Sequence, residues 1–115
     1  MIEQKDIYNY CRNNTNLTEQ DWISISQCYK LDENFLREFH DKVNWYYVCK
    51  YQKMSEDFMM EFGKKLWLYE VLAHQEYRIK FLLWLIHNYN ADDEELDLIA
   101  QLLEKKGFSR CSLKI

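Results

Sequence analysis

Proline is absent from this chain, and glycine occurs only twice, at Gly63 and Gly107. A β-rich domain reverses direction through many tight turns, which draw on Gly, Asn and Pro. Reversals here must fall on Asn, Asp and Ser, as in Asn13-Asn14-Thr15-Asn16 and Asn88-Tyr89-Asn90-Ala91. Such a chain favours helices joined by short polar links. The same scarcity excludes a glycine-rich phosphate loop and a Gly-x-Ser-x-Gly nucleophile turn. His-Glu-x-x-His and Cys-x-x-Cys are also missing, so no metal site and no cofactor is read from local spacing. Positive charge is not in excess: the net charge is -4, a poor match for neutralising phosphates, and nucleic acid is not the expected partner. The longest apolar run, Phe81-Leu82-Leu83-Trp84-Leu85-Ile86, is far too short to span a bilayer. The start, Met1-Ile2-Glu3-Gln4-Lys5-Asp6, is charged and has no signal-peptide h-region. A cytoplasmic location is therefore expected, with Cys11, Cys28, Cys49 and Cys111 as free thiols.

What the chain does have is a 23-residue period. Trp22-Ile23-Ser24-Ile25 is answered by Trp45-Tyr46-Tyr47-Val48. Lys30-Leu31-Asp32-Glu33-Asn34-Phe35-Leu36-Arg37-Glu38-Phe39 is answered by Lys53-Met54-Ser55-Glu56-Asp57-Phe58-Met59-Met60-Glu61-Phe62. A worn third copy keeps Val71, Gln75, Tyr77, Phe81, Leu82, Leu85 and Tyr89 at the same interval. A period of this length marks stacked supersecondary units, each unable to bury its apolar face alone. The expectation is one all-α domain over 1–115, built of helical-hairpin units 22–44, 45–67 and 68–90. A C-terminal capping helix follows at 92–106.

Local signals set the helices, six or seven in number. Residues 2–12 read as a short helix through Ile7, Tyr10 and Cys11. Thr18 and Asp21 have the spacing of a capping box. Asp32 and Ser55 read as N-caps of two further helices, whose faces Phe35, Leu36, Phe39, Val43 and Phe58, Met59, Phe62, Leu66 run at i, i+1, i+4 and i+8. The Trp-led segments 22–29 and 45–52 keep helical spacing, although the β-propensity of Trp45-Tyr46-Tyr47-Val48 leaves a strand-plus-helix unit open. In the third unit Glu76-Tyr77-Arg78 replaces the cap, so 67–89 is expected to run as one longer or kinked helix. Asp92 or Asp93 opens the last helix, with Leu96, Ile99, Ala100 and Leu103 inward and Gly107 as C-cap. The tail is expected to be loose or folded back through Phe108, Leu113 and Ile115.

The string Leu31-Asp32-Glu33-Asn34-Phe35-Leu36-Arg37-Glu38-Phe39-His40-Asp41-Lys42-Val43-Asn44-Trp45 resembles a tandem repeat of bacteriophage and large-DNA-virus proteins. That repeat reads roughly Leu-Ser-Glu-x-Phe-Ile-x-x-Phe, then Asp-Lys-Val-Asn-Trp. The resemblance covers about residues 17–66. It brings no catalytic residue or ligand with it. It implies a viral or virus-derived origin, hence a location in the host cytoplasm, and weights binding above catalysis.

Two groups of residues stand out as candidate partner-binding positions. Asp92-Asp93-Glu94-Glu95 with Asp97 places five acids in six positions. That is either an overcharged first helical turn or an acidic surface for a basic partner. Tyr46, Tyr47 and Trp84, with Tyr51 and Tyr69, exceed what a small core needs, and exposed aromatics are common interface anchors. The functional expectation is a non-catalytic protein-binding module, an adaptor or inhibitor of a host protein, with an anti-defence role among the readings. The alternative is a small enzyme using a Cys/His site assembled by the fold. Self-association as a twofold homodimer burying Trp84 is also expected, because short repeat arrays leave an uncapped apolar face.

Overall fold

A computed structural model describes residues 2–107, and among them every regular element is a helix. Eight α-helices follow one another: α1 Ile7–Asn13, α2 Glu19–Cys28, α3 Glu33–Glu38, α4 Trp45–Tyr51, α5 Glu56–Glu61, α6 Leu68–His74, α7 Ile79–Asn88 and α8 Asp93–Lys105. Short 3₁₀ turns occupy Gln4–Asp6 and Gly63–Lys65. The Trp-led segments are helical, so the strand alternative is set aside. No helix among the described residues is long and apolar enough to cross a membrane. The tail expectation, residues 108–115, lies outside the described residues.

Helix starts follow the side chains that can cap them. Thr18 and Asp21 form a reciprocal capping box at α2. Asp32 accepts from the Phe35 amide at 2.8 Å, Ser55 accepts from the Phe58 amide at 3.2 Å, and Asp92 pairs with Glu95 in a second capping box at α8. Each cap satisfies an amide that the first helical turn leaves without a carbonyl. Gly107, at φ 98°, takes the left-handed position beyond α8.

Helix α2 packs on α4 and α4 on α6, while α7 packs on α8. The described chain extends 52 × 22 × 18 Å. Phe35, Leu36, Val48, Phe58, Met59, Val71, Phe81, Leu82, Leu85, Ile99 and Leu103 are buried along its length. Interior geometry recurs at the sequence interval. Trp22 meets Phe39 at 5.5 Å and Trp45 meets Phe62 at 5.4 Å, while Phe35–Phe39 and Phe58–Phe62 both stand at 4.7 Å.

Two glutamines repeat a whole set of hydrogen bonds. Gln52 Nε2 donates to the carbonyls of Ser26 and Tyr29, and its Oε1 accepts from the Leu31 amide. Gln75 does the same 23 residues on, with Cys49, Gln52 and Met54. Ahead of them Gln4 accepts from the Lys30 amide and donates to the Lys30 carbonyl, and the Tyr29 hydroxyl donates to the Ile2 carbonyl. Glu33 and Glu56, in the first turns of α3 and α5, reach forward to the amides of Ser55 and Arg78.

These bonds correct the expectation of one long or kinked helix over 67–89. The chain instead forms α6 and α7, with Gln75 extended between them at φ -93° and ψ 155°. The missing Ser cap does not fuse the helices, because Gln75 holds the break from its other side. Splitting this segment also raises the helix count above the expected six or seven.

Candidate partner-binding surface

Helix α4 turns Trp45, Val48 and Cys49 inward. The same helical turn therefore carries Tyr46, Tyr47 and Lys50 on its outer side. The side chain of Asn44 starts the helix, accepting from the Tyr47 amide at 3.3 Å. Tyr46 and Tyr47 meet edge to face at 5.1 Å, and Tyr47 stacks parallel to Tyr51 at 6.2 Å. Lys50 Nζ lies 5.9 Å from the Tyr46 ring centre and 5.5 Å from that of Tyr51. The ring faces are thus open to a cation.

Trp67 and helix α6, which it precedes, extend this patch. Trp67, 56% exposed, meets Tyr46 edge to face at 5.3 Å. Tyr69 is 51% exposed and Tyr51 48%. A groove of about 350 Å³ runs between Tyr46, Trp67, Tyr69, Glu70, Tyr89 and Glu95. It joins α4 to the start of α6 and to the first turn of α8. The Tyr69 phenol is raised above its ordinary value by partial desolvation of its half-exposed ring and then by the carboxylates of Glu94, Asp92 and Glu95. The acidic turn and the aromatic patch are therefore one continuous surface.

Trp67 escapes sequence reasoning, although a signal is present. It is the N-cap of α6 and makes no side-chain capping bond. The residue 23 positions earlier is Asn44, which does cap α4. A ring that protrudes into solvent and gives up a cap is not what folding selects at that position. The neighbours agree. The counterparts of Tyr46 and Tyr47 are Ile23 and Ser24 in α2, and Tyr69 and Glu70 in α6. Rings demanded by the fold recur at this interval, as Phe35, Phe58 and Phe81 do. Of the outer rings, Tyr46 recurs as Tyr69, whereas Tyr47 and Trp67 have no ring at the matching positions, which are Ser24 and Glu70 for Tyr47 and Asn44 for Trp67.

The candidate residues are not all brought together. Tyr46, Tyr47 and the acidic turn lie on the surface just described; Asp92, Asp93 and Glu94 are exposed there and Glu95 is half-buried. Trp84 lines another groove, of about 640 Å³, with Met60, Phe62 and Gly63. It stacks on Phe81 at 6.1 Å, and a Cβ on Gly63 would stand 3.0 Å from its ring. Gly63 thus leaves room for Trp84 to lie half-buried against its own chain. Tyr89 lines both grooves.

Two of the thiols, Cys11 and Cys49, offer little to nucleophilic chemistry. Cys11 and Cys49 are buried, and burial pushes each up to about 11. At neutral pH both are protonated, whereas the thiolate is the nucleophile. The Cys49 sulfur also accepts from the Trp67 amide at 3.5 Å. Among the described residues, no group of three or more His, Cys, Asp and Glu is arranged to hold a metal ion. Cys28 is exposed, so among the thiols of the described residues an uncharged thiol reagent at pH 8 is expected to label Cys28 first, and Cys11 and Cys49 only as the protein opens. Mass mapping that found Cys49 modified as fast as Cys28 would contradict this placement.

Comparison with protein-family models finds no match, and neither curated proteins nor solved structures yield one.

Proposed function

We propose that this chain is a non-catalytic protein-binding module that engages its partner through the surface of Tyr46, Tyr47, Trp67, Tyr69 and the acidic turn Asp92–Glu95. The carrying observation is Trp67, a solvent-facing ring at a helix start where an asparagine or serine would cap. Large rings at the centre of an interface supply much of its binding energy at little entropic cost. In this reading the chain is a short stack of 23-residue helical hairpins, and α8 seals one end. The recurring glutamine and ring geometry supports that arrangement. The resemblance of residues 17–66 to a viral tandem repeat supports a host protein as the partner, with the chain as adaptor or inhibitor.

The test is affinity capture from a host-cell lysate with two baits, the native chain and Trp67→Asn. One protein recovered in stoichiometric amount by the native chain, and lost with Trp67→Asn, is the expected result. Equal recovery by both baits would move the interface elsewhere, with the Trp84 groove the next surface to test. Recovery of no protein by either bait counts against a binding module.

A further inference from the structure

We propose that the groove between Trp67, Tyr69 and Glu95 receives an arginine side chain from a basic segment of the protein partner. This rests on the protein-binding reading above and adds the chemistry of the contact.

Charge is the first observation. Among the described residues, no lysine or arginine pairs with Asp92, Asp93, Glu94 or Glu95, whereas Glu38 pairs with Arg12 and Glu61 with Arg37. Glu95, the half-buried member of the acidic turn, lines a groove with four aromatic rings, Tyr46, Trp67, Tyr69 and Tyr89. An acidic helix start alone is explained by capping and the helix dipole. Here it borders an exposed aromatic groove with Glu70 on its wall.

A second observation comes from α1 and α3, where the chain already solves the same recognition problem internally. The Arg12 guanidinium lies 4.1 Å over the Tyr8 ring. Glu38 accepts from its Nε at 2.8 Å and from its Nη2 at 2.7 Å. A ring face and a carboxylate together hold a planar cation, the pairing that suits guanidinium better than ammonium. The groove presents the same kinds of part, Tyr46, Trp67 and Tyr69 as rings and Glu70 and Glu95 as carboxylates; Lys50 already lies over Tyr46 and His74 lies 3.5 Å from Glu70, which leaves Trp67, Tyr69 and Glu95 without a cation among the described residues. Lys50, already over Tyr46 and Tyr51, shows that these rings accept positive charge. Because Lys50 already lies over Tyr46, the incoming cation is directed to Trp67, Tyr69 and Glu95.

The experiment is selection of a random twelve-residue peptide library on the full chain, in parallel with the Trp67→Asn variant. Circular dichroism establishes that the variant is folded. Peptides enriched on the native chain only, and containing arginine, are the expected result. Replacing that arginine by citrulline should weaken binding at least tenfold. Glu70→Gln together with Glu95→Gln should weaken it about tenfold; glutamine at 95 retains the capping-box bond. Enriched peptides that lack arginine but still require Trp67 would overturn this inference and leave the binding surface standing. Enrichment equal on both baits, or none on either, would overturn both. Unchanged affinity in the double glutamine variant would remove the carboxylates from the contact and the proposal with them.

Discussion

Truncating Phe58 to Ala is expected to lower the stability of the folded chain by about 3–5 kcal/mol. Phe58 is fully buried. Its ring stands 4.7 Å from Phe62 and 6.3 Å from Trp45, and the Arg37 guanidinium lies 5.2 Å from its centre. Removing the ring takes away transfer energy and leaves a cavity between rigid neighbours that cannot collapse into it. A domain of this size has total stability of roughly 5–15 kcal/mol, so the loss is a large fraction of it. Phe35 and Phe81, at 2% and 0% exposure, should behave alike. Urea denaturation reads the loss. A change under about 1 kcal/mol at any of the three would mean that its ring is not part of a shared core.

Gln52→Leu should cost about 3 kcal/mol, although it exchanges a polar side chain in the interior for an apolar one of similar size. Gln52 is 5% exposed and satisfies the Leu31 amide and the carbonyls of Ser26 and Tyr29. Leucine leaves those backbone groups without that partner, and each unsatisfied buried group costs about 1–3 kcal/mol. Gln75→Leu removes the equivalent bonds from a less buried position, so a smaller loss of about 2 kcal/mol is expected. The order of the two is the informative result. A stability gain in Gln52→Leu would show that the amide is not a needed link between successive helices.

Gln52 also marks where sequence reading reached its limit. Helix starts at Thr18, Asp32, Ser55 and Asp92 were legible because capping is local, decided by one side chain and an amide three residues on. The buried faces of α3 and α5 were legible because apolar spacing states which side turns inward. The break between α6 and α7 was not, because Gln75 holds it through bonds to residues 21 to 26 positions away. A glutamine in a helix-rich sequence carries no sign of such a contact.

The candidate surface was half legible. Tyr46, Tyr47 and Asp92–Glu95 were singled out by surplus rings and charge density. Their convergence depends on how α4, α6 and α8 pack, which no local pattern encodes. Trp84 was singled out by the same surplus, yet its ring rests on Phe81 and Gly63 in a separate groove. Trp67 was missed because a tryptophan in an aromatic-rich repeat reads as core. Only alignment with Asn44 shows it in a capping position.

The central claim is that Trp67 and its neighbouring rings are kept for a partner and not for the fold. Urea denaturation of Trp67→Asn tests it most directly, and needs no partner. Asparagine restores the cap that Asn44 provides to α4, worth roughly 0.5–1 kcal/mol, while the lost ring was more than half exposed. The expected result is a variant as stable as the native chain or more stable by up to about 1 kcal/mol. A loss of more than about 1 kcal/mol, on the scale of truncating a packed side chain, would show that the ring serves the fold and would contradict the claim.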